Sequence, residues 1–312
     1  MLERYVEYGW TKSSICRKWE TSLQAFRSLK RCPQKTDRPR RTQMTRITQE
    51  EEQEVIIYAL DHPGLKHREI TYRMIDEDIA YMSSSSVYRI FKKNNLLERR
   101  EPEKKHIKWN AHTPVSEPDD KWQTDLMVVP YRSRDYYLLS YLDVGTRFIV
   151  YNELCLSMTG DSIEQASERA IKATGKKPKI IQSDNGSCYI SSEYRFFIAR
   201  NEIDHHRIHA HCPNENAEIE RYHRTLWEML DPSEAENFAS LIEIVKERIR
   251  YYNYERYHSA IGFVTPYAMY SGQAEAIFES RKIKLQNAKE QRIKINIERF
   301  KNTNQHQKSN AA

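Results

Sequence analysis

The sequence predicts an α/β protein: a mixed sheet flanked by helices, preceded by all-α units and followed by a helical C-terminal region. Three observations predict it. Three strand-like runs follow one another at 122–129, 136–143 and 148–154. Helical and strand periods then alternate, with a helix near 161–173, a strand at 179–183, a helix near 191–200, a short strand at 203–208 and a helix beyond Pro213. The first hundred residues read instead as two small helical units. Sequential strands followed by alternating helices and strands give a mixed sheet covered by helices.

A helix near 12–19, a turn at Glu20-Thr21 and a second helix over 22–31 have the order of a helix-turn-helix, a pattern that any three-helix domain can also make. Arg27, Lys30 and Arg31 are its basic DNA-contact candidates within a unit bounded at 1–34. Residues 35–47 form a basic, Pro-containing linker. Its Arg38, Arg40 and Arg41 suit phosphates or a minor groove, or else a solvated tether. The second unit, 48–100, opens at Thr48, an N-cap with Glu50, Glu51 and Glu52 where the helix dipole favours acids. Ser83–Ser86 cap its last helix, which sets Arg89, Lys92 and Lys93 opposite Val87, Ile90 and Phe91 and makes the better DNA reader of the two units. A polar linker at 101–117 leads to the core, 118–272.

Within the core, three acids stand in unlike settings. Asp125 lies in Trp122-Gln-Thr-Asp125-Leu-Met-Val-Val129, where a carboxylate is expensive to bury unpaired. Asp184 ends the strand Ile180-Ile-Gln-Ser-Asp184 and precedes the turn pair Asn185-Gly186, which lets the backbone approach a phosphate. Glu220 lies in a helical stretch with Asn216 and Arg224 at i−4 and i+4, on the same face. The gap between Asp184 and Glu220 is 35 residues. Asp143, after an apolar run and before Gly145, reads as structural.

This set resembles the catalytic Asp, Asp and Glu of the transposase and retroviral-integrase superfamily. The words Trp-Gln-Thr-Asp125, Ser183-Asp-Asn-Gly-Ser187, Asn214-Glu-Asn-Ala-Glu-Ile-Glu220-Arg-Tyr-His-Arg-Thr-Leu226 and Tyr251–Tyr267 are similar to bacterial insertion-sequence transposases with an integrase core. The resemblance covers roughly 110–270, and helix-turn-helix words extend it weakly to the N-terminus. It implies a ribonuclease-H-like sheet, metal-dependent phosphodiester cleavage and strand transfer, and double-stranded DNA as partner, both element ends and target. Phosphodiester chemistry is served by two Mg²⁺ (or Mn²⁺) ions about 4 Å apart, held by carboxylates. On that reading Asp125 bridges both ions, and Asp184 and Glu220 each hold one. Bringing two ends together implies a homo-oligomer. A nuclease that does not join, or a DNA-binding regulator without catalysis, are the alternatives.

Composition is consistent with a nucleic-acid partner. Net charge is +6, but its distribution is uneven: about +7 over 1–110, about −4 over 111–230 and about +3 over 231–312. An acidic centre with basic flanks suits central metal and peripheral phosphate contacts. The chain lacks a long apolar run and a secretory pattern, and its five Cys form no C-x-x-C, so a cytoplasmic protein away from membranes is expected. Four His and a Cys within 205–212 invite a zinc reading, but their spacing suits strand and loop better, as phosphate contacts or plain loop residues. Cys188 has no His tied to it by spacing and is set aside as a nucleophile. A long amphipathic helix over 234–255 sets Phe238, Leu241, Ile242, Val245 and Ile249 on one side. The basic helical tail, 273–312, carries Ile283, Ile293, Ile295 and Ile297, and fits a subunit contact or a DNA contact equally.

Overall fold

The computed structural model describes residues 11–18, 44–97, 117–209 and 212–309. Arg27, Lys30, Arg31, Arg38, Arg40 and Arg41 lie outside them. The chain divides into two compact units, 47–291 and a smaller one of 1–46 with 292–312. Of the smaller unit, helix α1 (Lys12–Lys18) buries Cys16, and Asn296 donates its amide to the carbonyls of Met44 and Arg46 at 2.8 and 3.0 Å.

The larger unit begins with three helices, α2 (Gln49–Asp61), α3 (His67–Asp76) and α4 (Ser84–Lys93). A capping box starts α2: Glu51 donates its N–H to the Thr48 hydroxyl, and Thr48 N–H reaches back to the Glu51 carboxylate. The Ser83 hydroxyl caps α4 through Ser86 N–H. Val55, Ile70, Met74, Met82, Val87, Ile90 and Phe91 form the core of these helices. Arg89, Lys92 and Lys93 are exposed on the opposite side of α4, with Lys93 paired to Glu52 at 2.6 Å.

The sheet follows, with β1 (Lys121–Tyr131), β2 (Arg134–Asp143), β3 (Ile149–Cys155), α5 (Gly160–Thr174), β4 (Ile180–Ser183), α6 (Ser192–Arg200) and β5 (Asp204–Arg207). Its spatial order is β3-β2-β1-β4-β5. Strands β1, β2 and β3 are antiparallel neighbours, while β4 runs parallel to β1 and β5 parallel to β4. This mixed, helix-flanked order is ribonuclease-H-like, as the resemblance implies. The side-chain period of two sorts β1 cleanly. Trp122 and Leu126 join the core under α5 and α6, whereas Met127 and Val129 join the core on the other face.

That second face is covered by α7 (Ala217–Met229), reached through a 3₁₀ turn at Pro213–Asn216, and by α8 (Phe238–Tyr254). Ile219, Tyr222 and Leu226 of α7 pack with Leu241, Val245 and Ile249 of α8. Asn253 closes the β3 edge: its amide accepts from Ile149 N–H at 2.9 Å and donates to Ile149 C=O at 3.0 Å. The unit is completed by α9 (Pro266–Tyr270) and by the start of α10 (Ala274–Ser309). The tail isoleucines do not supply a buried stripe, since Ile283, Ile295 and Ile297 are exposed. The buried positions of α10 include Ala274, Arg281, Ala288, Arg292 and Asn296.

Candidate active site

Two strands and one helix carry the three acids. On β1, Asp125 shares the face of Gln123, Met127 and Val129, toward α7; its side chain is 22 % exposed, and its neighbour Thr124 is buried on the opposite face. Asp125 Oδ1 accepts from Leu126 N–H at 2.8 Å, and Oδ2 lies 3.4 Å from His223 Nδ1 on α7. Asp184 follows the last residue of β4 and accepts from Gly186 N–H at 2.9 Å. A Cβ at position 186 would stand only 2.9 Å from that carboxylate oxygen, so Gly keeps the turn open for it. Glu220 is in the first turn of α7 and exposed.

The acids influence one another. Burial pushes the Asp184 carboxyl up, with the charge of Asp125 adding to it and the Gly186 N–H opposing. Glu220, although exposed as a residue, is also raised, first by partial loss of hydration around its carboxyl and then by Asp125, and is opposed by Arg224 and His223. Asp125 is thus the common neighbour of the other two. They do not converge further than this: among the described residues no group of three or more His, Cys, Asp or Glu stands close enough together to hold a metal ion. Like charges repel, and the Asp125 and Asp184 oxygens are turned toward nearby backbone N–H groups. In kind the donors fit a hard divalent cation, being carboxylates short of positive charge.

The start of α7 is fixed by two glutamines that sequence reading passed over. Gln123 is 1 % exposed. Its amide donates to Glu215 C=O at 3.1 Å and to the Glu218 carboxylate at 3.0 Å, and accepts from Ile219 N–H at 3.0 Å. Gln182, its register partner on β4, donates to the same Glu215 carbonyl. The signal was present: each Gln stands two residues before an acid, in Gln123-Thr-Asp125 and Gln182-Ser-Asp184. Residues i and i+2 of a strand share a face, so each glutamine points where its acid points.

The remaining expected residues are distributed differently. Asn185 is exposed, and its amide donates to Ile208 C=O at 2.8 Å, tying the turn after Asp184 to the end of β5. Asn216 belongs to the 3₁₀ turn rather than to α7 and is 2 % exposed, because the chain tightens before the helix proper begins. Arg224 is exposed near Glu220. Of the His-rich stretch, His205 is held by the Ser183 hydroxyl at 2.8 Å and its pKa is lowered to about 4, first by burial and then by Arg207 and His206. His209 pairs with Glu215 at 2.8 Å across the loop. Asp143 is fully buried and accepts from Asp119 N–H, Thr146 N–H and the Thr146 hydroxyl, a structural assignment.

A model of the integrase core domain matches residues 115–213, and a second integrase core domain model matches 201–266. The transposase for insertion sequence element IS904 of Lactococcus lactis subsp. lactis (strain IL1403) is 27 % identical over 152 residues, 48 % of this chain and 60 % of that protein. The putative integrase ORF3 of Spiroplasma virus SpV1-C74 is 25 % identical over 150 residues, 43 % of this chain and 41 % of its own. The chain therefore spans less than two thirds of these relatives. Among solved structures, the HTLV-2 integrase catalytic core domain in complex with magnesium matches with a TM-score of 0.42 and 20 % identity over 49 % of this chain and 97 % of its own. A simian T-cell lymphotropic virus intasome in complex with PP2A regulatory subunit B56 gamma matches with a TM-score of 0.47 and 16 % identity over 70 % of this chain and 74 % of its own. Among the described residues no helix is long and apolar enough to cross a membrane.

Proposed function

We propose that this chain, which integrase core domain models match over residues 115–213 and 201–266, is a DNA transposase that binds element ends, cleaves a phosphodiester there and joins the freed end to target DNA. The observation that carries this reading is the placement of the acids: Asp125 lies on β1, Asp184 follows the neighbouring parallel strand β4, and Glu220 lies in the first turn of α7, whose start is bound to both strands through Gln123 and Gln182. Asp125, Asp184 and Glu220 would hold two Mg²⁺ or Mn²⁺ ions. When bound, such ions supply an activated nucleophile at neutral pH and stabilise the leaving oxygen of an in-line displacement.

The chain's own residues do the positioning. Gln123 and Gln182 hold the start of α7 against β1 and β4, so that Glu220 is presented over the strands bearing the two Asp residues. Asn185 keeps the turn after Asp184 in place. Arg224, exposed near Glu220, suits a phosphate of the bound strand. In α4, Arg89, Lys92 and Lys93 lie on the side left open by the helical core and suit the major groove of duplex DNA. The freed 3′-hydroxyl then attacks target DNA in a second displacement at the same site. Two ends brought together call for a dimer or larger assembly on DNA.

The test is a gel assay on labelled duplex DNA carrying the element's own ends, with wild type and Asp184→Asn compared in Mg²⁺, Mn²⁺ and EDTA. Metal-dependent nicking and joining that vanish in the variant while DNA binding persists are expected. Nicking without strand-transfer products would make the protein a nuclease, and tight binding without cleavage by wild type would make it a regulator.

A further inference from the structure

The three-helix module at 47–97 and the segment 255–291 belong to one compact unit, although some 180 residues of sequence lie between their contacting groups. Their junction is built around one cation. The Arg281 side chain is 5 % exposed. Its guanidinium donates to both carboxylate oxygens of Asp76, at 2.8 and 2.7 Å, and to the carbonyls of Gly262 at 3.0 Å and Phe263 at 2.6 Å. It also lies 4.7 Å from the centroid of the Tyr72 ring. The Tyr257 hydroxyl donates to the same Asp76 carboxylate at 2.8 Å, and Tyr72 stacks on Phe263. Gly262 is left-handed, and a Cβ there would lie 2.8 Å from the Phe278 ring, so the backbone that presents the two carbonyls needs glycine.

Further hydrogen bonds join the same surfaces. Arg73 donates to Glu255 C=O at 3.0 Å, and Lys284 donates to Ile75 C=O at 2.9 Å and pairs with Asp78. These groups come from α3 and its C-terminal turn. Arg89, Lys92 and Lys93 of α4 take no part and remain exposed. Removing one partner of a buried, bidentate ion pair leaves the other charge uncompensated, so this junction depends on both Asp76 and Arg281. The geometry is well suited to holding a DNA reader at a set place on the molecule.

We infer that Arg281 seats the α2–α4 module on the body bearing Asp125, Asp184 and Glu220 within one chain, and so fixes the offset between the DNA sequence held by α4 and the bond that is cut. This rests on the transposase reading above and deepens it. The offset is then a property of a single polypeptide, and Arg281 is its positioning residue.

The experiment uses the full chain and a labelled duplex taken from the DNA flanking its own gene. Wild type is compared with Arg281→Lys, in which an ammonium replaces the fork that reaches Asp76 and two carbonyls at once. The double variant Asp76→Asn/Arg281→Met removes both charges and serves if the single change does not fold. Cut positions are mapped at single-nucleotide resolution, hydroxyl-radical footprints are recorded on the same duplex, and hydrogen exchange is followed in α3. Wild type should cut at one position. The variants should retain DNA affinity within about twofold, because the phosphate and base contacts of α4 are untouched, while α3 amides exchange faster and the cuts scatter over several nucleotides. Faster exchange with cuts as sharp as wild type overturns the inference, as does unchanged exchange in both variants. A wild type that binds but never cuts counts against the catalytic reading alone. The footprint then decides: the spacing between protection by α4 and by the sheet face should be constant in wild type and blurred in the variants, and a constant spacing in all of them overturns the seat.

Discussion

Asp125 and Asp143 belong to adjacent strands, three ladder steps apart in register, yet their surroundings set them to opposite tasks. Asp143 is sealed and its oxygens are occupied by three donors, whereas Asp125 keeps a side chain that is partly open to solvent beside α7. Replacing Asp184 by Asn should lower cleavage by more than the ~100-fold typical of losing an outer-shell partner, with DNA affinity nearly unchanged; a gel assay of the two proteins at equal concentration checks both halves. A second residue-scale expectation concerns His258, which accepts a hydrogen bond from Arg256 at 3.1 Å and whose pKa is lowered to about 3 by burial, then by Arg256 and Arg147. A depressed histidine contributes stability that is present above its ordinary value of 6.5 and lost as pH falls toward 3. The unfolding equilibrium should shift by up to about tenfold per pH unit across that window from this group. His258→Gln should flatten that part of the profile in urea titrations; an unchanged slope would refute the assignment.

At the scale of elements, nearly every strand and helix of the core was legible, because alternation along β1 and the amphipathic period of α7 and α8 are written in apolar residues. The clamp at the start of α7 was not read, because hydrogen bonds from Gln123 to residues more than ninety positions away carry no periodic signal. Gln123→Leu leaves Glu215 C=O one donor short and Ile219 N–H without its acceptor, at a cost of about 1–3 kcal/mol for each buried group left unmade. It should lower the urea midpoint and reduce cleavage more than it reduces DNA binding. The α4 face makes a separate prediction. Replacing Arg89, Lys92 and Lys93 together by Ala should lower the salt dependence of DNA binding by about one log–log slope unit for each phosphate that is no longer neutralised. Affinities measured from low to moderate salt decide it, and a slope equal to wild type would remove α4 from the interface. The tail shows the opposite lesson: exposed Ile283, Ile295 and Ile297 form no buried stripe, and the buried polar contacts of the helix come from Arg281 and Asn296 instead.

For the molecule as a whole, the acidic centre anticipated by charge counting contains two carboxyls, Asp184 and Glu220, that burial holds above their ordinary range. Raised carboxyls contribute stability that is complete below their ordinary values of 3.8 and 4.5 and lost as pH rises through the raised ones. A divalent cation binding their charged forms should offset that loss. The gain in unfolding temperature on adding Mg²⁺ should therefore be small near pH 4 and grow toward neutrality, reaching the equivalent of about 2.7 kcal/mol at a hundredfold excess over Kd. Calorimetry with and without the cation isolates it from the histidines, and an equal gain at all pH values, or one that survives in Asp184→Asn, would contradict the metal assignment. Asp125, Asp184 and Glu220 were singled out by spacing and flanking words, and the fold sets them on β1, after β4 and on α7 without drawing them into one cluster. The contact at Arg281 was not foreseen, since Asp76 and Arg281 are ordinary helix residues until the fold brings them together.

A polypeptide still on the ribosome acquires Asp125 first, Asp184 about sixty residues later, and Glu220 only after the last strand of the sheet has been made. The start of α7 is received by Gln123 and Gln182 jointly, so the third acid takes its place only once β1 and β4 lie side by side. On the proposed reading, a nascent chain or a product terminated before α7 is chemically silent, and only a chain that has passed Glu220 and set β1 beside β4 endangers the genome of the cell that makes it.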